Sequence, residues 1–122
     1  MASHFACEFV CSFENRSRDP LPAIALTENQ AIMTAWPNDK RYGFATLFCR
    51  QLKALGKPGD VLITLSTSGK SPNCLFAQST AKNLGIHTVD FPRKGKSTAE
   101  IQEYQLHLMH KICREVEKEM FK

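Results

Sequence analysis

The chain reads as an α/β protein with a parallel sheet, and three observations point there. The first is the apolar run Asp60-Val61-Leu62-Ile63-Thr64-Leu65, whose continuous hydrophobicity suits a strand covered on both faces. The second is the order of elements after that run. A helical stretch over 73–84 ends at Gly85 and leads into a second apolar run over 86–91. A strand–helix–strand unit of this length implies a right-handed crossover and parallel pairing. The third is size: 122 residues, 43% of them hydrophobic and 23% charged, suffice for one domain around one core.

The rest of the chain divides into recognisable elements. Phe5, Phe9 and Phe13 recur every fourth residue with Ala6 and Val10 alongside, which predicts a helix over 3–13 with Ser3 as its N-cap. A polar break covers 15–20. The short apolar run 22–26 reads as a strand. Residues 27–30 open a short helix over 31–35, and 36–43 has loop chemistry, punctuated by Pro37 and Gly43. Leu47, Phe48, Leu52 and Leu55 line one side of a helix over 44–55, which Gly56-Lys57-Pro58-Gly59 terminates. After the strand–helix–strand unit comes a short basic linker, 92–96. The last helix, 98–120, carries Ile101, Leu108, Ile112, Val116 and Met120 on its apolar face, and its Glu- and Lys-rich end reads as solvated surface. No repeat and no low-complexity segment is present.

Composition narrows the function classes. The formal charge of +4 is mild, and the nearest thing to a basic cluster, Arg93-Lys94 with Lys96, has no interleaved aromatics. A nucleic-acid surface is therefore not expected. No apolar stretch approaches the roughly 20 residues that span a bilayer, so no membrane partner is expected either. The N-terminus lacks a basic-then-apolar signal pattern, and the five cysteines show no C-x-x-C spacing. Both features suit reduced thiols in a cytoplasmic protein.

Two places carry chemistry. One is the turn Ser66-Thr67-Ser68-Gly69-Lys70-Ser71, between a strand and a helix that opens on Pro72. Free amides and the helix dipole favour an anion there, and Ser66, Thr67, Ser68 and Ser71 can all donate to phosphate oxygens. The same residues equally suit an ordinary turn, with Ser71 as N-cap and Pro72 at the first helical position. The P-loop spacing of glycine, lysine and hydroxyl is absent. The other place is the pair His4 and Glu8, four apart and so on one helix face. An imidazole and a carboxylate so placed can grip a metal, or act as a base with its orienting partner; they equally suit a surface ion pair. Cys7 and Cys11 extend that stripe, as thiolate ligands or, more simply, as buried structural thiols. On the last helix Gln102 and His110 are eight apart, about 12 Å along the axis, so they barely meet at one ion from one straight helix. His107 is offset from them and is assigned no role.

Taken together, these stretches resemble the bacterial phosphoheptose isomerases, a branch of the sugar-isomerase (SIS) domain family. The resemblance rests on His4-Phe5-Ala6-Cys7-Glu8, on 20–26, and on Asn38-Asp39 followed by Tyr42-Gly43-Phe44. It continues through 50–56, 58–63 and 66–73, and through Ile101-Gln102-Glu103 to His110. It implies a flavodoxin-like three-layer α/β/α fold with a parallel sheet, in a homotetramer. It also implies an isomerase that converts sedoheptulose 7-phosphate to D-glycero-D-manno-heptose 7-phosphate for cell-envelope (lipopolysaccharide) sugar synthesis. By carry-over, His4, Glu8, Gln102 and His110 would hold zinc, Glu8 would be the general base and His110 the general acid. Ser66, Thr67, Ser68 and Ser71 would hold phosphate. Asn38, Asp39 and Gln102 would contact the sugar.

The pattern also departs from the family. The family's long first helix, and the strand that ends in a Gly-Asn-Gly-Gly-Ser loop, are absent before His4. A further strand and its loops shrink to Pro92-Arg93-Lys94-Gly95-Lys96. Lys40-Arg41 is an insertion, and Cys11-Ser12 stands where the family has Gly-Arg, removing a cation from the phosphate side. The expected fold is thus a single SIS-like domain, shortened at the N-terminus and before the last helix. A shortened scaffold suits a second function class as well: a non-catalytic SIS module that binds a sugar phosphate or a protein partner.

Overall fold

The computed structural model describes residues 1–122. Its elements are α1 (Ala2–Val10), α2 (Gln30–Asp39), α3 (Gly43–Leu55), β1 (Val61–Thr64), α4 (Pro72–Asn83), β2 (His87–Asp90) and α5 (Thr98–Met120). The chain divides into two compact units, one of residues 26–93 and one of residues 1–25 with 94–122.

In the 26–93 unit, β1 and β2 pair in parallel, with Val61 opposite His87 and Thr64 opposite Asp90. The crossover helix α4 packs on both strands, α3 packs on α4, and α2 packs on α3. Leu52, Leu62, Ala77, Ala81 and Ile86 form the core, flanked by Leu26, Phe48 and Leu84. Ala77 and Ala81 lie one turn apart and are fully buried, so α4 presents only methyl groups at its closest contact. The helix ends where the glycine signal predicts. Gly85 takes φ +72°, Ile86 N–H donates to the Ala81 carbonyl (2.9 Å) and Gly85 N–H to the Lys82 carbonyl (3.2 Å). That closure satisfies the last carbonyls and turns Ile86 into the core.

Two expectations for this region are corrected. Residues 22–26 form no strand. β1 has β2 as its only neighbour in a two-stranded sheet, so the segment joins no ladder. Its flanks are tied elsewhere: Leu21 N–H donates to the Phe9 carbonyl (3.1 Å), and the Leu26 carbonyl accepts from Gln51 Nε2 (2.9 Å). The 36–43 stretch is not all loop either. Asn29 caps α2 by accepting from Ile32 N–H (3.1 Å), and the helix runs through Pro37 to Asp39. Tertiary contact holds it there. Trp36 Nε1 donates to Thr46 Oγ1 (3.0 Å), the Arg50 guanidinium lies over the Trp36 ring (4.7 Å), and Gly43 abuts the Trp36 carbonyl.

In the other unit, α1 packs against α5. Helix α1 starts after Met1 rather than at Ser3 and ends at Val10, so Phe13 lies beyond it. Helix α5 has the predicted bounds, opened by Ser97 Oγ accepting from Glu100 N–H (3.2 Å). Its buried residues are Gln105, Met109, Cys113 and Glu117, whereas Ile101, Leu108, Ile112 and Val116 are half-buried and Met120 is exposed. The apolar pattern missed this face because two of its four members are polar.

Candidate active site

Helices α1 and α5 bring three of the four expected metal-site residues together. His4 Nε2 lies 2.8 Å from Glu8 Oε1, and His110 Nε2 lies 4.0 Å from the same oxygen. One ligand-type atom from each of the three falls within 4.8 Å of the others. The two imidazoles meet edge to face at 5.3 Å. The side chains remain 47%, 19% and 34% exposed for His4, Glu8 and His110, so a ligand can reach them. Two nitrogens and a carboxylate oxygen at this spacing suit a cation that keeps an open position, or a base beside a proton carrier.

Four nearby polar side chains stand apart from that cluster. Gln102 is exposed on α5, two turns before His110, and makes no hydrogen bond to the three. His107 is exposed, as expected. Cys7 and Cys11 are exposed rather than buried, with their sulfurs 4.0 Å apart. The hydrogen bond with Cys11 raises the Cys7 thiol pKa, which disfavours a standing thiolate. Deeper in the unit, Cys113 is buried, and that burial pushes its thiol up to about 11.

The support beneath the cluster was not legible in the sequence. Glu117, expected on a solvated end, is buried. Its carboxylate accepts from the backbone N–H groups of Phe13 (2.8 Å), Glu14 (2.9 Å) and Asn15 (2.9 Å), and from Arg18 Nε (2.5 Å). Burial alone would raise its pKa, but these donors outweigh it and hold the group at about 2. Arg18 Nη2 also donates to the Glu8 carbonyl (2.6 Å). Phe13, held by Glu117, stacks on the His110 ring at 5.5 Å and 17°. A single carboxylate thus organises the neighbours of both Glu8 and His110. Arg18 sits in a polar break and Glu117 in a charged run, where exposure is the usual reading.

In the 26–93 unit, the hydroxyl turn has a definite shape. Gly69 takes φ +69°, and its N–H donates to Ser66 Oγ (3.0 Å). Ser66, Ser68 and Ser71 converge, with Oγ separations of 3.2 to 3.5 Å. Ser71 occupies the N-cap position of α4 and Pro72 opens the helix, yet the Ser71 hydroxyl makes no capping bond. It turns toward Ser66 and Ser68 instead. Thr67 is half-buried and outside this trio. Asn38 and Asp39 form the exposed last turn of α2 and bond to each other (3.3 Å).

Comparison with known proteins identifies the family. The SIS domain family model matches residues 1–91. The phosphoheptose isomerase of Synechocystis sp. is 44% identical over 136 aligned positions, covering 98% of this chain and 69% of the relative. That of Crocosphaera subtropica is 43% identical, covering 98% and 68%. The 136 positions exceed the 122 residues of this chain, so these relatives carry extra residues inside the matched stretch. Among solved structures, the phosphoheptose isomerase from Francisella tularensis superposes with a TM-score of 0.84 at 31% identity, covering 93% of this chain and 68% of that one. The one from Neisseria gonorrhoeae gives 0.85 at 32% identity, covering 96% and 69%. The chain therefore has the α/β fold of the SIS domain family and belongs, within it, to the phosphoheptose isomerases, a family of isomerase enzymes.

Proposed function

We propose that this protein is an aldose–ketose isomerase that interconverts sedoheptulose 7-phosphate and D-glycero-D-manno-heptose 7-phosphate. The observation that carries the reading is the Glu8 carboxylate, set within 4.0 Å of both the His4 and His110 imidazoles and open to solvent. Moving a carbonyl by one carbon requires two proton transfers. Glu8 takes the proton from the carbon beside the carbonyl, leaving an enediolate, and returns it to the neighbouring carbon. His110 hands a proton to the former carbonyl oxygen and accepts the one released by the adjacent hydroxyl. Atoms and charge balance, since one proton moves between carbons and one between oxygens.

The donor set of His4, Glu8 and His110 fits zinc, which when bound would polarise the carbonyl and stabilise the oxyanion. Gln102, about 12 Å along the helix axis from His110, is assigned to the sugar rather than to the ion. Ser66, Ser68 and Ser71, with Thr67 beside them, are assigned to the phosphate, for which they supply hydroxyl donors. Asn38 and Asp39 are assigned to the sugar hydroxyls. The protein is read as a cytoplasmic homotetramer serving cell-envelope sugar synthesis, and light scattering tests the assembly.

The decisive experiment is turnover of sedoheptulose 7-phosphate by the zinc-supplemented protein and by Glu8→Gln. The variant is expected to lose roughly 10³-fold or more in rate while still binding substrate, in line with the loss of a positioned base. Undiminished turnover in Glu8→Gln would remove Glu8 from the chemistry. Substrate-induced thermal stabilisation of the wild type without any product would instead identify a non-catalytic binding module.

A further inference from the structure

The serine hydroxyls are neutral donors and the turn's own Lys70 is exposed, whereas a sugar phosphate brings about two negative charges. The 26–93 unit holds a cation against that turn. The Arg93 guanidinium lies directly against Gly69, the centre of the serine turn. A Cβ built on Gly69 would fall 2.6 Å from Arg93 Nε and 2.7 Å from both Cζ and Nη2. Arg93 Nη1 donates to the carbonyls of Ser66 (3.3 Å) and Phe91 (3.1 Å), and Nη2 donates to Asp90 Oδ2 (2.6 Å).

The side chain is aimed rather than loose. Asp90 also accepts from Thr64 Oγ1 (2.8 Å), and Thr64 accepts from Gln78 Nε2 (2.8 Å), so a chain of bonds from α4 across β1 to β2 orients the guanidinium. It is not used up. Nε–H has no partner and Nη2 has one, and the side chain is 27% exposed. We infer that Arg93 is the cation of the phosphate site, held beside the serine hydroxyls by Asp90. The inference rests on the reading of the serine turn as the phosphate cradle. A charge-assisted bond from guanidinium to phosphate is roughly twice as strong as a neutral one. The absence of a side chain at Gly69 is what lets the guanidinium reach the turn.

The test is binding of inorganic phosphate to the full chain by titration calorimetry at two ionic strengths. Its arms are the wild type, Arg93→Ala, Arg93→Lys, Lys94→Ala and Ser68→Ala. Arg93→Ala is expected to weaken phosphate about tenfold or more, as for loss of a hydrogen bond to a charged group, and to flatten the salt dependence. Arg93→Lys should recover part of the affinity, and Lys94→Ala should bind as the wild type does. Equal phosphate affinity in wild type and Arg93→Ala, with Ser68→Ala weakened, overturns the role of Arg93 and leaves the serine cradle standing. No phosphate binding by the wild type, or none lost in Ser68→Ala, overturns the cradle and this inference with it. Retained melting temperatures in Arg93→Lys separate lost affinity from lost fold.

Discussion

Glu117 shows how one side chain can organise a neighbourhood that no motif announces. It is buried, ionised and bonded to three backbone amides and one guanidinium. Glu117→Ala would strand the buried Arg18 charge and free the 13–15 segment. The expected cost is about 3 kcal/mol, read from urea unfolding at neutral pH, in line with removal of one partner of a buried pair. The pH dependence has a definite sign. The carboxyl is held at about 2 in the folded state against an ordinary 4.5, so its contribution is fully present above about 4.5. That contribution is lost as the pH falls through about 2. Unfolding curves from pH 7 down to 3 should show a steeper decline in the wild type than in Glu117→Gln, where the Asp90 carboxylate beside Arg93 still contributes. Because Phe13 hangs on Glu117 and stacks on His110, Glu117→Gln should also lower turnover more than it changes substrate affinity.

Among the elements, α2 and α3 illustrate how packing can carry a helix across a proline. Pro37 removes one ladder donor, and the residues before Gly43 read as loop. The helix survives because Trp36 is bonded to Thr46 and covered by Arg50, both on α3. The contact depends on Gly43, where an added Cβ would sit 2.3 Å from the Trp36 carbonyl oxygen and 2.5 Å from Pro37 Cα. Neither atom is the tip of a flexible side chain. Gly43→Ala is therefore expected to destabilise by about 2 kcal/mol, the usual cost of an added methyl in a filled contact, measurable as a lowered denaturant midpoint. Helix α5 makes the complementary point. Its bounds agree with the capping residue and the long periodic pattern, but its buried face includes Gln105 and Glu117, and the partners of Glu117 lie about a hundred residues away in sequence. Period alone marks a polar residue as outward, and only a buried partner reverses that.

For the molecule as a whole, the cluster joins residues about a hundred positions apart in sequence. A cation held by His4, Glu8 and His110 would tie α1 to α5, so metal binding and the stability of their unit should be linked. Zinc at about a hundred times its Kd should add about 2.7 kcal/mol to unfolding, and a chelator should reverse this. The shift is expected in the wild type and not in His110→Ala; an equal shift in both would place the ion elsewhere. By itself, the amino-acid order determined what local chemistry can determine. It set the strand–helix–strand unit, the glycine closure of α4, the bounds of α5 and the spacing that puts His4 over Glu8. These depend on neighbours a few residues apart, whose dihedral preferences and side-chain periods can be read directly. Only the tertiary structure decided that 22–26 would join no sheet, that α2 would continue through Pro37, and that Glu117 and Arg18 would be buried together. It also brought Arg93 to the serine turn, whereas the meeting of His110 with Glu8 was implied by the family resemblance and by no local pattern. In each case the free energy comes from a partner distant along the chain, and no local pattern records where that partner will be.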